Sequence, residues 1–112
     1  MAKIIVAAPP IPGELMPLLQ VGCGLAARGH EIQVLTGSSF RTAVEQAGLT
    51  FVPLPGGADY DPREVASRPE RAALPPGPPQ LNYDWINFFV NPMPGEHAAL
   101  QELLIKYTGR YI

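Results

Sequence analysis

Hydrophobic positions along the first half of the chain alternate between two patterns. Ile4, Ile5, Val6, Ala7 and Ala8 form an unbroken apolar run, the pattern of a parallel strand covered on both faces. Pro9, Pro10, Pro12 and Gly13 end it, because proline lacks the N–H that a ladder needs. Spacings of three and four then take over. Leu15, Leu18, Leu19, Gly22, Leu25 and Ala26 share one helical face. Gly29 stands where a helix ends in a left-handed residue, and Ile32, Val34 and Leu35 predict the next strand. The unit then repeats. Ser38 and Ser39 are placed to cap a second helix, Phe40, Ala43, Val44 and Ala47 are its apolar face, and Gly48 ends it. Residues 49–54 predict a third strand with Phe51 and Val52 at its centre. Strands joined by helices of this length run parallel with right-handed crossovers. Residues 1–54 therefore predict a regular βαβαβ, an α/β fold with a Rossmann-like open parallel sheet.

The pattern changes after residue 54. Ten of the 14 prolines lie between Pro53 and Pro94, so 55–82 predicts a Pro/Gly-rich loop with at most a short helix over 63–73. A loop of this length is either a mobile excursion or a binding loop. Tyr83, Trp85, Phe88 and Phe89 follow as the densest aromatic cluster. A helix begun at Asn82 or Asp84 puts Trp85 on one face with Phe88 or Phe89, as core packing or as the apolar wall of a small-molecule site. A last helix spans about 96–107, so 83–107 is expected to be helical. Ala99, Leu100, Leu103 and Leu104 are its buried stripe, Glu96 suits its positive end, and His97 is a surface residue or a catalytic one. No strand follows in 108–112, and the sheet reads as unfinished.

Composition narrows the partners. A net charge of −2 with scattered basic residues argues against nucleic acid or an anionic membrane surface, both of which need a basic face. The single cysteine, Cys23, has no partner for an internal disulfide and falls within the first helix, as a small apolar residue. One Cys and two His give no metal-ligand spacing. The prolines after Ala8 interrupt any secretory signal, and no apolar run is long enough to span a membrane. The expected location is the cytoplasm.

The candidate chemistry lies in the first βα turn, since ligands in this architecture bind beyond the C-terminal ends of the strands. A dinucleotide is disfavoured. The G-x-G-x-x-G fingerprint is absent, and the second strand ends Leu35-Thr36-Gly37 with no acid for a ribose hydroxyl. What the turn offers is Glu14, at or just before the first helical residue. It is either a favourable charge at a helix start or a general base facing the cleft.

Gly13-Glu14-Leu15-Met16-Pro17, the run from Leu25 to Gly37 containing Arg28-Gly29-His30-Glu31-Ile32, and the stretch from Phe40 to Leu54 together resemble the start of GT-B-fold glycosyltransferases. The similar branch is the natural-product and UDP-glucuronosyltransferase-like one, and the likeness covers about half the chain. Its enzymes open with G-H-V-x-P, whose histidine deprotonates the acceptor, and a downstream aspartate orients that histidine. Glu14 stands at the histidine position, as an acid does in sterol and rhamnosyl transferases. The resemblance thus implies Glu14 as catalytic base. It also implies Gly13, Met16, Tyr83, Trp85, Phe88 and Phe89 as candidates for binding a small hydrophobic, hydroxyl-bearing acceptor.

By the same resemblance, a C-terminal domain absent from these 112 residues would bind the nucleotide-sugar donor, so this chain is expected to bind no cofactor itself. It would be a partial N-terminal acceptor domain of an inverting glycosyltransferase, inactive alone. The alternative from another class is a complete, non-catalytic binding or assembly module. Such a module would pair with a separate chain, or self-associate through its open sheet edge.

Overall fold

The structure, a computed structural model, describes residues 1–106. Strand β1 (Lys3–Ala7) leads through the proline turn into helix α1 (Pro12–Ala27), and β2 (Glu31–Thr36) follows. A 3₁₀ turn (Ser38–Phe40) opens α2 (Arg41–Gln46), and β3 (Thr50–Pro53) completes the sheet. The strand order is β1-β2-β3, all parallel, with Val6 opposite Val34 and Val34 opposite Phe51.

Alternate residues of the strands supply two cores. On one face Val6, Ala8, Ile32 and Val34 meet Leu15 and Leu19 of α1 and Val44 of α2. On the other, Leu35 and Leu54 meet Leu103, with Ile5, Val52, Ala99 and Leu100 packed around them. That second layer is α6 (Met93–Lys106). The sheet is thus covered on both faces, as its unbroken apolar runs require.

Both glycine-ended helices close with the same bonds. His30 N–H donates to the Leu25 carbonyl and Gly29 N–H to Ala26, while Leu49 N–H donates to Val44 and Gly48 N–H to Glu45. These are the paired bonds of a Schellman ending, with Gly29 at φ 90° and Gly48 at φ 80°. His30 has a structural task as well: its Nδ1 accepts from the Ala2 N–H at 2.9 Å. Cys23 is half-buried, its Sγ 3.8 Å from the Ala47 carbonyl.

Several expectations are corrected. Leu18, assigned to the inner face of the first helix, is exposed. Neither Ser38 nor Ser39 caps the second helix; they form the 3₁₀ turn, and Asp59 Oδ1 accepts from the Ser38 N–H at 2.9 Å instead. The expected loop over 55–82 holds a 3₁₀ turn (Gly56–Ala58) and helices α3 (Pro62–Ala66), α4 (Pro69–Ala72) and α5 (Pro78–Trp85). Each of these helices begins on a proline, where the missing N–H costs nothing because a first-turn N–H has no helical partner anyway. The aromatic helix therefore starts at Pro78 rather than at Asn82 or Asp84. A π-helical turn (Ile86–Val90) continues it. Helix α6 starts three residues before Glu96, and Tyr107, read as its last residue, lies outside the described residues with the rest of the chain terminus.

Candidate functional site

The β1–α1 turn is locked from below by Pro10, which is fully buried against Gly37. A Cβ on Gly37 would collide with the Pro10 Cβ and lie 3.1 Å from Asp59 Oδ1, so only glycine lets β2 pass under the turn. Ala8 N–H donates to the Leu35 carbonyl at 3.0 Å, carrying the pairing one residue past β1. The ends of all three strands are thereby held at one level.

Above them lies an open cleft of about 470 Å³. Ala7, Ala8, Pro9, Leu35 and Leu54 form its sheet side, and Met93, Glu96, His97 and Leu100 of α6 form the opposite wall. Helix α6 reaches this position because Gly95 packs against the 3₁₀ turn before α3, where an added Cβ would come 3.0 Å from the Ala58 Cβ.

Glu96 is the only carboxylate in this lining. Burial pushes its carboxyl above the usual range, against the helix N-terminus, which favours the anion; desolvation wins. Its carboxyl has no hydrogen bond or ion pair among the described residues. Tyr60 lies within reach of its charge. Its hydroxyl donates to the Phe88 carbonyl at 2.7 Å, and its ring lies 5.7 Å from that of Phe88. The Tyr60 hydroxyl is pushed above its ordinary value by burial first, then by the charges of Glu96 and Glu14. Both carboxylates therefore sit within electrostatic reach of one phenol, Glu96 in the cleft wall and Glu14 outside it.

Of the residues singled out in sequence, His97, read as a surface residue or a catalytic one, lines this cleft, whereas the expected base and acceptor-binding residues do not. Glu14 is the third residue of α1 rather than its start, and it is exposed. Gly13 has open space about its Cα, and Met16 is exposed. Tyr83 is taken up by a hydrogen bond to Glu70 Oε1 at 3.1 Å. Trp85 is 56% exposed, its ring tilted against that of Phe89 with centroids 4.9 Å apart. Phe88 packs against the Tyr60 ring, outside the cleft lining. Glu96, which sequence reading gave only to the helix dipole, carried a legible signal: it precedes Leu100 by four and Leu103 by seven, so it lies on the buried stripe. Among the described residues no three His, Cys, Asp or Glu side chains gather to hold a metal.

A parallel open sheet with an apolar, carboxylate-bearing cleft past its C-terminal edge is the architecture of an α/β domain of Rossmann type. The chain's homologues are UDP- and natural-product glycosyltransferases, and its fold is that of part of a GT-B glycosyltransferase domain. It is 40% identical over 108 residues to UDP-glycosyltransferase 2 of Phaeomoniella chlamydospora and 38% identical over 102 residues to UDP-glucosyltransferase B1 of Starmerella bombicola. These alignments take in 96% and 90% of this chain, and 24% of each relative. The chain thus spans about a quarter of the length of the curated relatives it matches. Among solved structures it is similar to the Streptomyces sp. SF2575 glycosyltransferase SsfS6. One crystal structure of that enzyme aligns with a TM-score of 0.63 at 28% identity, over 92% of this chain and 31% of the other. The chain matches no protein-family model. Among the described residues no helix is long and apolar enough to cross a membrane.

Proposed function

We propose that this chain is the acceptor-binding part of an inverting glycosyltransferase that uses a nucleotide-sugar donor. The supporting observation is the cleft beyond the strand ends: mostly apolar, open, with one carboxylate, Glu96, in its wall. It suits a small hydrophobic molecule that bears hydroxyls. The acceptor's apolar body lies against Leu35, Leu54 and Leu100, and its reacting hydroxyl faces out. Glu14 takes the hydroxyl proton. The freed oxygen forms a bond to the anomeric carbon as the bond from that carbon to the donor phosphate breaks. The electron pair leaves with the nucleoside diphosphate. A C-terminal domain holds the donor, and these 112 residues alone transfer no sugar. The setting is the cytoplasm.

In the full-length enzyme, Glu14→Gln is expected to lower kcat by about 100-fold or more, the usual worth of a general base, with acceptor affinity retained. Unchanged turnover would remove Glu14 from the chemistry. A second reading, self-association, is favoured by β1, whose outer edge pairs with no strand among the described residues. Sedimentation over a concentration series tests it, and a strict monomer rules it out.

A further inference from the structure

Glu96 is out of keeping with its surroundings. Helix α6 turns this side chain toward the sheet on the same stripe as Leu100 and Leu103, where an apolar residue would pack without cost. The carboxyl has no partner among the described residues, and it faces a space large enough for a bicyclic molecule. A carboxylate set among apolar walls is poorly solvated, so a donor brought in by a ligand is worth more there than in water.

The reacting hydroxyl of an acceptor must point out of the cleft, toward the sugar it will meet. A carboxylate within the wall therefore meets a different part of the molecule. We propose that Glu96 is a specificity-determining residue that binds a second, non-reacting hydroxyl of the acceptor. This rests on the reading of the cleft as the acceptor site. The acceptor class it defines is an apolar body carrying at least two hydroxyls, one held by Glu96 inside and one presented at the rim. Glu96 takes no part in proton transfer. Its contribution is to set which hydroxyl of the acceptor is presented.

The test uses the 112-residue chain labelled with ¹⁵N and two probes of one skeleton, 2-naphthol and 2-methoxynaphthalene. Amide shifts report where each binds and how tightly. Both are expected to shift Ala7, Ala8 and Leu100, with the naphthol bound about fivefold tighter, as a charge-assisted hydrogen bond warrants. Glu96→Leu erases that preference. Glu96→Gln, which keeps the shape and can still accept, leaves an intermediate one. Ala7→Phe, filling the cleft from the strand end, weakens both probes together, and the dispersion of each variant's spectrum shows whether it is folded. Equal affinity for the two probes in the unaltered chain overturns the role of Glu96 and leaves the cleft as acceptor site. Loss of the preference in His97→Phe rather than in Glu96→Leu overturns it in favour of the neighbour. Absence of any shift at the cleft overturns the acceptor reading itself.

Discussion

Gly37 and Glu96 carry single-residue consequences of opposite sign. Gly37→Ala must push Pro10 or β2 aside, and a rigid ring facing a strand leaves little room to yield. It is expected to destabilise the fold by about 2–3 kcal/mol, as overpacking of a tight contact does, measured by urea denaturation. Glu96 costs stability where it is ionised. Its folded carboxyl is raised by burial, so the folded form binds more protons than the unfolded one above the ordinary glutamate value of about 4.3. Stability from this group therefore falls as pH rises through the raised value. Glu96→Gln is expected to raise the melting temperature at neutral pH, with the gain vanishing below about pH 4. A gain unchanged by pH would contradict this. The close approach of Pro10 to Gly37 was not legible in sequence, because it joins residues 27 apart. Gly29 and Gly48 were legible, because a helix ending is decided by residues next to one another.

At the level of elements, periodicity located the three strands, the first two helices and the last one, and failed over the proline-rich stretch from residue 55 to the aromatic helix. The failure has one cause. Proline was taken as a breaker in Pro62, Pro69 and Pro78, whereas each sits at a helix start, where it is tolerated. Tertiary contacts then fasten the short helices. Arg71 binds both carboxyl oxygens of Asp84, at 2.7 and 3.0 Å, and so pins α4 to α5. Gln80 adds bonds to the Arg71 and Leu74 carbonyls. The Arg71 guanidinium holds the Asp84 carboxyl below its usual range, so the stabilisation is present above the ordinary aspartate value and is lost as pH falls through the lowered one. Acidification is expected to loosen this pair of helices in the unaltered chain, followed by the emission of neighbouring Trp85. Asp84→Asn should remove that acid step and speed proteolysis between α4 and α5 at neutral pH. An acid step surviving in Asp84→Asn would point to another group.

Across the whole molecule, the proposed acceptor site depends on how α6 is seated over the strand ends. The sheet supplies one wall of the cleft and α6 the other, with Gly95 on the Ala58 turn setting their separation. Sequence pointed to the sheet edge at which this cleft lies, since βα turns are local. It offered the aromatics 83–89 as core packing or as a ligand wall, because their density is conspicuous, and did not bring Leu54, Leu100 and Glu96 together, since they converge only once α6 has folded back. On the proposed function this chain serves the acceptor and not the donor. Amide-shift titration of the chain with UDP-glucose and, separately, with 2-naphthol distinguishes the two. Shifts are expected at Ala7, Ala8, Leu35 and Leu100 with the naphthol and none with the nucleotide sugar. Binding of UDP-glucose at the β1–α1 turn, with the cleft silent to the naphthol, would contradict the proposal.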